Sequence, residues 1–224
     1  MTENIVKKLR AYGVDVVTSG NHVWNRPDFV RRLDKVERVL RPLNYPDDAP
    51  GNGSVIVEAR DGTKVGVVNL QGRTFMASID CPFRIGERRV EELRHETPCI
   101  FVDFHAEATA EKVALGYHLD GRASAVIGTH THIQTADERL LPKGTAYLTD
   151  AGMTGVQESV IGTRTEIAVQ RFIDAVPARF KPADGDPMLC GALIDIDADT
   201  GRATAIERLR VRIESTAGAD VGDE

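Results

Sequence analysis

Three apolar runs in this chain each end on a side chain of metal-ligand type, and that coincidence constrains its fold more than any other feature. Ser124-Ala125-Val126-Ile127 leads into Gly128-Thr129-His130-Thr131-His132, Cys99-Ile100-Phe101-Val102-Asp103-Phe104 into His105, and Val14-Asp15-Val16-Val17-Thr18-Ser19-Gly20 into Asn21-His22. Such runs read as strands, and 99–104 is so continuously apolar that it should be buried on both faces. Open α/β sheets place their ligand sites beyond the carboxyl ends of strands. With one residue between them, His130 and His132 leave an extended backbone on the same face and can address one metal or two adjacent metals. An HxH pair alone is weak, since most such residues are hydrogen-bonded loop groups. Three strand ends together define a candidate metal site.

The rest of the chain fits strand, loop and helix units around those ends. Ile5, Val6, Leu9 and Tyr12 recur at near-helical spacing before Gly13, so the chain opens inside an amphipathic helix. A strand is expected over Val14–Thr18, then the loaded turn Gly20–Asn25 and a helix from Pro27 to about Leu33. Arg41–Gly53 reads as an irregular connection, and Ser54–Ala59 with Lys64–Leu70 as an antiparallel hairpin. Helices are expected over Arg84–His95, Ala108–Leu119 and Arg164–Ala175, the last with Ile167, Ala168, Phe172 and Ile173 on one packing face. Thr145–Thr149 is a short strand, and Gly191–Asp197 with Ala203–Arg212 closes the chain as a second hairpin. Two hairpins among alternating strand-helix units imply mixed sheets. A single domain over residues 1–213 is expected, followed by a disordered acidic tail over 214–224.

Composition narrows the function classes. The net charge is -6 with 28% charged residues, both signs mixed along the chain, so there is no basic footprint for stable nucleic-acid binding. Three cysteines, Cys81, Cys99 and Cys190, form no CxxC pair and indicate neither a disulfide framework nor a thiolate zinc site. A cytoplasmic location fits best, with no membrane span and no signal peptide.

The ligand types narrow the chemistry further. Imidazoles from His105, His130 and His132 with the Asn21 amide suit iron, manganese or zinc and disfavour calcium. Adjacent residues point differently, so Asn21 and His22 divide their work: one ligates while the other is free for acid-base chemistry. An imidazole titrates close enough to neutral pH to protonate a departing oxygen in phosphoester hydrolysis. Asp103, Asp150 and Glu107 are candidate carboxylates for orienting ligating histidines. Trp24 is read either as a base-stacking surface or as an ordinary core residue. His95 and His118, placed in helices, are read as structural.

Gly20-Asn21-His22-Val23-Trp24, Asn69-Leu70-Gln71-Gly72-Arg73-Thr74-Phe75-Met76, Phe101-Val102-Asp103-Phe104-His105-Ala106-Glu107-Ala108-Thr109, Gly128-Thr129-His130-Thr131-His132-Ile133-Gln134-Thr135-Ala136-Asp137 and Thr149-Asp150-Ala151-Gly152-Met153-Thr154-Gly155 closely resemble the YmdB-like bacterial metallophosphoesterases. The resemblance implies a calcineurin-like four-layer α/β/β/α sandwich with mixed sheets and a centre of two metal ions, iron above all, with manganese or zinc as alternatives. It also implies hydrolysis of phosphodiesters such as 2',3'-cyclic nucleotides by a metal-activated hydroxide. Asn21, His105 and His130 match ligands of one metal, His132 matches a ligand of the other, and His22 matches the proton donor. Family members open with a strand ending in Gly-Asp and a strand ending in Gly-Glu-Asn, which supply an Asp ligand and a bridging Glu. The sequence starts after these motifs, so an N-terminally truncated chain lacking about one βαβ unit is expected, with ~30 residues or more absent. Its exposed apolar edge would suit a homo-oligomer. Without the Asp and Glu, a noncatalytic metal-binding or regulatory short form and a mononuclear hydrolase are the alternative readings.

Overall fold

A computed structural model describes residues 1–212; the tail expected over 214–224 lies outside the described residues. In chain order the elements are α1 (Glu3–Ala11), β1 (Val17–Thr18), a 3-10 turn (Asn21–Asn25), α2 (Pro27–Val30), β2 (Val39–Leu40), β3 (Ser54–Glu58) and β4 (Lys64–Gln71). Then come α3 (Pro82–Arg94), β5 (Ile100–His105), α4 (Thr109–His118), β6 (Ala125–Thr129), β7 (Arg139–Leu140), β8 (Ala146–Leu148) and β9 (Gly155–Val156). The described chain closes with α5 (Thr165–Asp174), β10 (Pro187–Ile196) and β11 (Ala203–Arg212). No helix among the described residues is long and apolar enough to cross a membrane.

The central sheet has six strands in the order β3-β4-β5-β6-β8-β7. β4, β5, β6 and β8 run parallel, while β3 and β7 pair antiparallel at the two edges. Parallel strands are normally covered on both faces, and these are. On one face α3 and α4 bring Val90, Leu93, Leu115 and Leu119 against Val68, Leu70, Ile100, Val102 and Phe104. On the other, Ala125, Ile127, Ala146 and Leu148 meet Ala192, Ile194 and Ile206 of the β10-β11 hairpin, which forms a second sheet with β9. The α/β class with mixed sheets is therefore found as expected. α1, α2 and the 3-10 turn close a third cluster, Val6, Val23, Phe29, Leu33 and Val39, around the two-stranded parallel sheet β1-β2.

Local chemistry fixes the element ends. Thr2 caps α1 by accepting from the Ile5 N–H at 3.3 Å, and Gly13 leaves that helix at φ +94°. The β3-β4 hairpin turns at Gly62, φ +88°, with the Thr63 N–H held by the Asp61 carboxylate at 2.9 Å. Two expectations change. The strand expected over Val14–Thr18 is confined to Val17–Thr18, because β2 offers only Val39 and Leu40 as partners and no described strand lies on its other side. The packing face expected on α5 buries only Ala168; Phe172 and Ile173 are 86% and 73% exposed because no described element lies over them.

Tyr147 on β8 is buried, with its hydroxyl 3.0 Å from Thr149 Oγ1, and burial raises its pKa from 10.0 to about 12. Below its unfolded pKa both states hold the proton. Above it the unfolded chain ionises first, so stability is lost as pH rises from about 10 towards about 12. Urea midpoints measured at pH about 9 and about 11 should fall more for the native chain than for Tyr147→Phe, which has no phenol to ionise.

Candidate functional site

The parallel register sets three strand ends side by side: Gln71 pairs with His105, and His105 with Thr129. β1 delivers the fourth segment. Asn69, fully buried on β4, donates from Nδ2 to the Ser19 carbonyl at 2.5 Å and the Leu40 carbonyl at 3.0 Å, while Ser19 Oγ donates to Leu40 O at 2.7 Å. These bonds pin Gly20 and Asn21 against the end of β5. Gly20 has to be glycine, because a Cβ there would overlap the His105 imidazole.

His105 Nε2 lies 3.0 Å from Asn21 Oδ1 and 3.0 Å from His130 Nδ1. On its far side His105 Nδ1 sits 3.1 Å from Thr129 Oγ1, whose hydroxyl donates to Asp103 Oδ1 at 2.8 Å. A hydroxyl has one proton, and Asp103 takes it, so the network assigns the hydrogen of His105 to Nδ1 and the lone pair to Nε2. His130 is assigned in the same way: Nε2 faces Glu107 Oε2 at 3.1 Å, leaving Nδ1 as the lone pair.

Three acceptor atoms, Asn21 Oδ1, His105 Nε2 and His130 Nδ1, thus converge with no proton assigned between them. This arrangement is repulsive alone and satisfied by a cation. Neighbouring ligands at right angles, each ~2.1 Å from one ion, stand about 3.0 Å apart, so the donor set fits a metal of the iron, manganese or zinc type. Burial lowers His105 to about 3, helped by the Coulombic cost of charging it beside His130, His22 and Lys112; burial also lowers His130, with Glu107 opposing. Both rings therefore stay in the neutral, ligating form at neutral pH. Burial pushes Asp103 up to about 6, against the pull of the Thr18 and Thr129 hydroxyls.

Asn21, His105 and His130 are brought together; His132 and His22 stand apart from their contact. His132 is exposed, and no hydrogen bond or ion pair joins it to the three atoms. Among the described residues no group of three or more His, Cys, Asp or Glu side chains could hold a metal ion, so the cluster depends on the Asn21 amide. His22 is exposed, with Nδ1 2.9 Å from Asn25 Nδ2. Of the carboxylates expected as orienting groups, Glu107 touches His130 directly, Asp103 reaches His105 through Thr129, and Asp150 binds Thr131. Trp24 takes its ordinary reading, packed on the Val6–Phe29 cluster and edge-on to Tyr45 at 5.0 Å. Thr129 was not foreseen; its only signal is a hydroxyl directly before the first histidine of the HxH.

A family model described as YmdB-like protein matches residues 1–209. The 2',3'-cyclic-nucleotide 2'-phosphodiesterase of Bacillus subtilis (strain 168) is 48% identical over 211 residues, 94% of this chain and 80% of that one. The crystal structure of a hypothetical protein from Thermus thermophilus superimposes with a TM-score of 0.87 at 41% identity, covering 95% of this chain and 82% of that one. That of a phosphatase from Mycoplasma pneumoniae gives 0.86 at 30% identity, covering 95% and 77%. Fold, site and relatives define a phosphoesterase, an enzyme of the hydrolase class. The chain belongs to the YmdB-like family.

Gly20→Ala places a methyl group where the His105 ring stands. The variant should fold, with an unchanged circular dichroism spectrum, and lose about 10-fold or more in phosphoesterase kcat/KM, consistent with ring displacement at a positioned site.

Proposed function

We propose that this chain is a metal-dependent phosphodiesterase acting on small phosphodiesters of the 2',3'-cyclic nucleotide class. One observation carries the reading: at the ends of strands in the central and β1-β2 sheets, the His105 Nε2 lone pair stands 3.0 Å from Asn21 Oδ1 and 3.0 Å from His130 Nδ1. The activity named for the Bacillus subtilis relative supplies the substrate class. Bound on these three groups, an ion would supply Lewis acidity and positive charge for attack at phosphorus.

The protein's own residues do the rest. Glu107 and the Asp103-Thr129 pair keep the two imidazoles turned with their lone pairs inward. Asn25 holds His22 by Nδ1, which leaves Nε2 available to give a proton to the departing ribose oxygen. His132, the exposed member of the HxH, is the ligand left for the second ion that the family resemblance implies. The free thiols Cys81, Cys99 and Cys190 suit work in a reducing cytoplasm.

Elemental analysis of protein purified without chelator, paired with turnover of 2',3'-cyclic AMP, tests the proposal. At least one ion per chain is expected, with activity abolished by chelation and restored by iron or manganese. A second ion per chain would assign His132 to it, and one ion alone favours the mononuclear reading that the three-donor cluster supports. Folded, metal-loaded protein that leaves the cyclic phosphodiester intact overturns the proposal. His22→Ala should lower kcat by about 10²–10⁴-fold and leave the metal content unchanged, as removal of a general acid does; loss of metal would place His22 among the ligands instead.

A further inference from the structure

His130 and His132 both stand in left-handed backbone, at φ +98° and +67°. Residues other than glycine enter that region at a steric cost and stay there when surrounding bonds over-determine them. The bonds that do so converge on the residue between them. The Thr131 N–H donates to Asp150 Oδ2 at 3.0 Å and the Thr131 hydroxyl to the same oxygen at 2.6 Å. Lys112, reaching up from α4, donates to Thr131 Oγ1 at 3.0 Å and Asp150 Oδ2 at 2.9 Å. Asp150 Oδ1 accepts the Gly152 N–H at 2.8 Å. The side chains of Lys112 and Asp150 are each 1% exposed.

A buried ion pair is weak evidence for stability, since desolvation offsets its attraction. This pair directs its hydrogen bonds to one residue of the histidine loop, a use that packing alone would not require. We infer that Lys112 and Asp150 are positioning residues: through Thr131 they hold the 130–132 turn left-handed, so that His130 reaches His105 and Asn21 while His132 faces outward. The segment that follows β8 completes the strap. The Met153 N–H donates to His132 O at 2.8 Å, the Ala151 N–H to Gly128 O at 2.9 Å, and the Thr135 N–H to Asp150 O at 3.1 Å. Thr131 is drawn inward, which leaves His130 to the site and His132 exposed. The catalytic consequence rests on the function proposed above; the backbone consequence does not.

Thr131→Val keeps the shape of the side chain, the Lys112-Asp150 pair and the amide bond, and removes only the hydroxyl that both charged groups share. Relative to the native chain, kcat for 2',3'-cyclic AMP should fall about 10-fold or more with KM within about twofold, and Thr131→Ser should recover most of the loss. Amide exchange at residues 130–132 should quicken about 10-fold or more in the valine variant, while core amides of β5 and β6 keep their rates. The double variant Lys112→Met/Asp150→Leu, which leaves no unpaired charge, should show the same two changes more strongly. Unchanged loop exchange in both folded variants overturns the inference, as does an equal loss of kcat in the serine and valine variants. Exchange needs no turnover, so a native chain without phosphodiesterase activity would defeat the proposed function and leave the loop measurement decisive for this one.

Discussion

Parallel pairing in strict register is the constraint on which this structure depends. β4, β5 and β6 end level, Gln71 beside His105 beside Thr129, and from that line the chain can send out a glutamine, a histidine and a histidine-bearing loop within one side-chain length. A slip of one residue would turn every side chain to the opposite face, moving His105 away from Asn21 and Phe104 out of the core. The register is fixed by burial: Val68, Leu70, Val102, Phe104 and Val126 fill the helix-facing core, with Ala125 and Ile127 on the face towards the β10-β11 hairpin. Hydrophobic packing and site geometry are thus one specification.

The site electrostatics follow from the same burial. His105 sits deep enough that its charged form is disfavoured, and its outer nitrogen is occupied by Thr129. What faces inward is a lone pair, as at His130, where Glu107 occupies the other nitrogen. Carboxylates behind imidazoles set which nitrogen is free and how basic it is. The Thr129 hydroxyl lets Asp103, buried one pleat below, act on His105 without touching it.

Much of this was legible in the sequence, and the remainder was not for physical reasons. Long apolar runs such as 99–104 and the hairpin at Gly62 declare themselves because their period and turn chemistry are local. Asn21, His105 and His130 declared themselves because each follows such a run. Val39–Leu40 did not, being a two-residue strand whose existence depends on β1 across the sheet. The β1 expectation was too long for the matching reason, since extended residues need partners to form a ladder. On α5 the apolar spacing suggested a core face, but only Ala168 meets another element. Lys112 was invisible in the chain because a lysine on a helix is ordinarily solvated; only tertiary structure shows it sealed under the histidine loop.

The three converging groups come from distant parts of the chain, with a sequence separation of 84 from Asn21 to His105 and of 25 from His105 to His130. No local segment carries two of them in contact. The centre therefore has no precursor in the unfolded ensemble, and contacts of such sequence separation are the slow ones to form. Any ion that occupies it arrives at a chain whose sheet is already assembled. Occupancy would then report completed folding rather than nucleate it, the reverse of a zinc finger, in which the metal organises the chain.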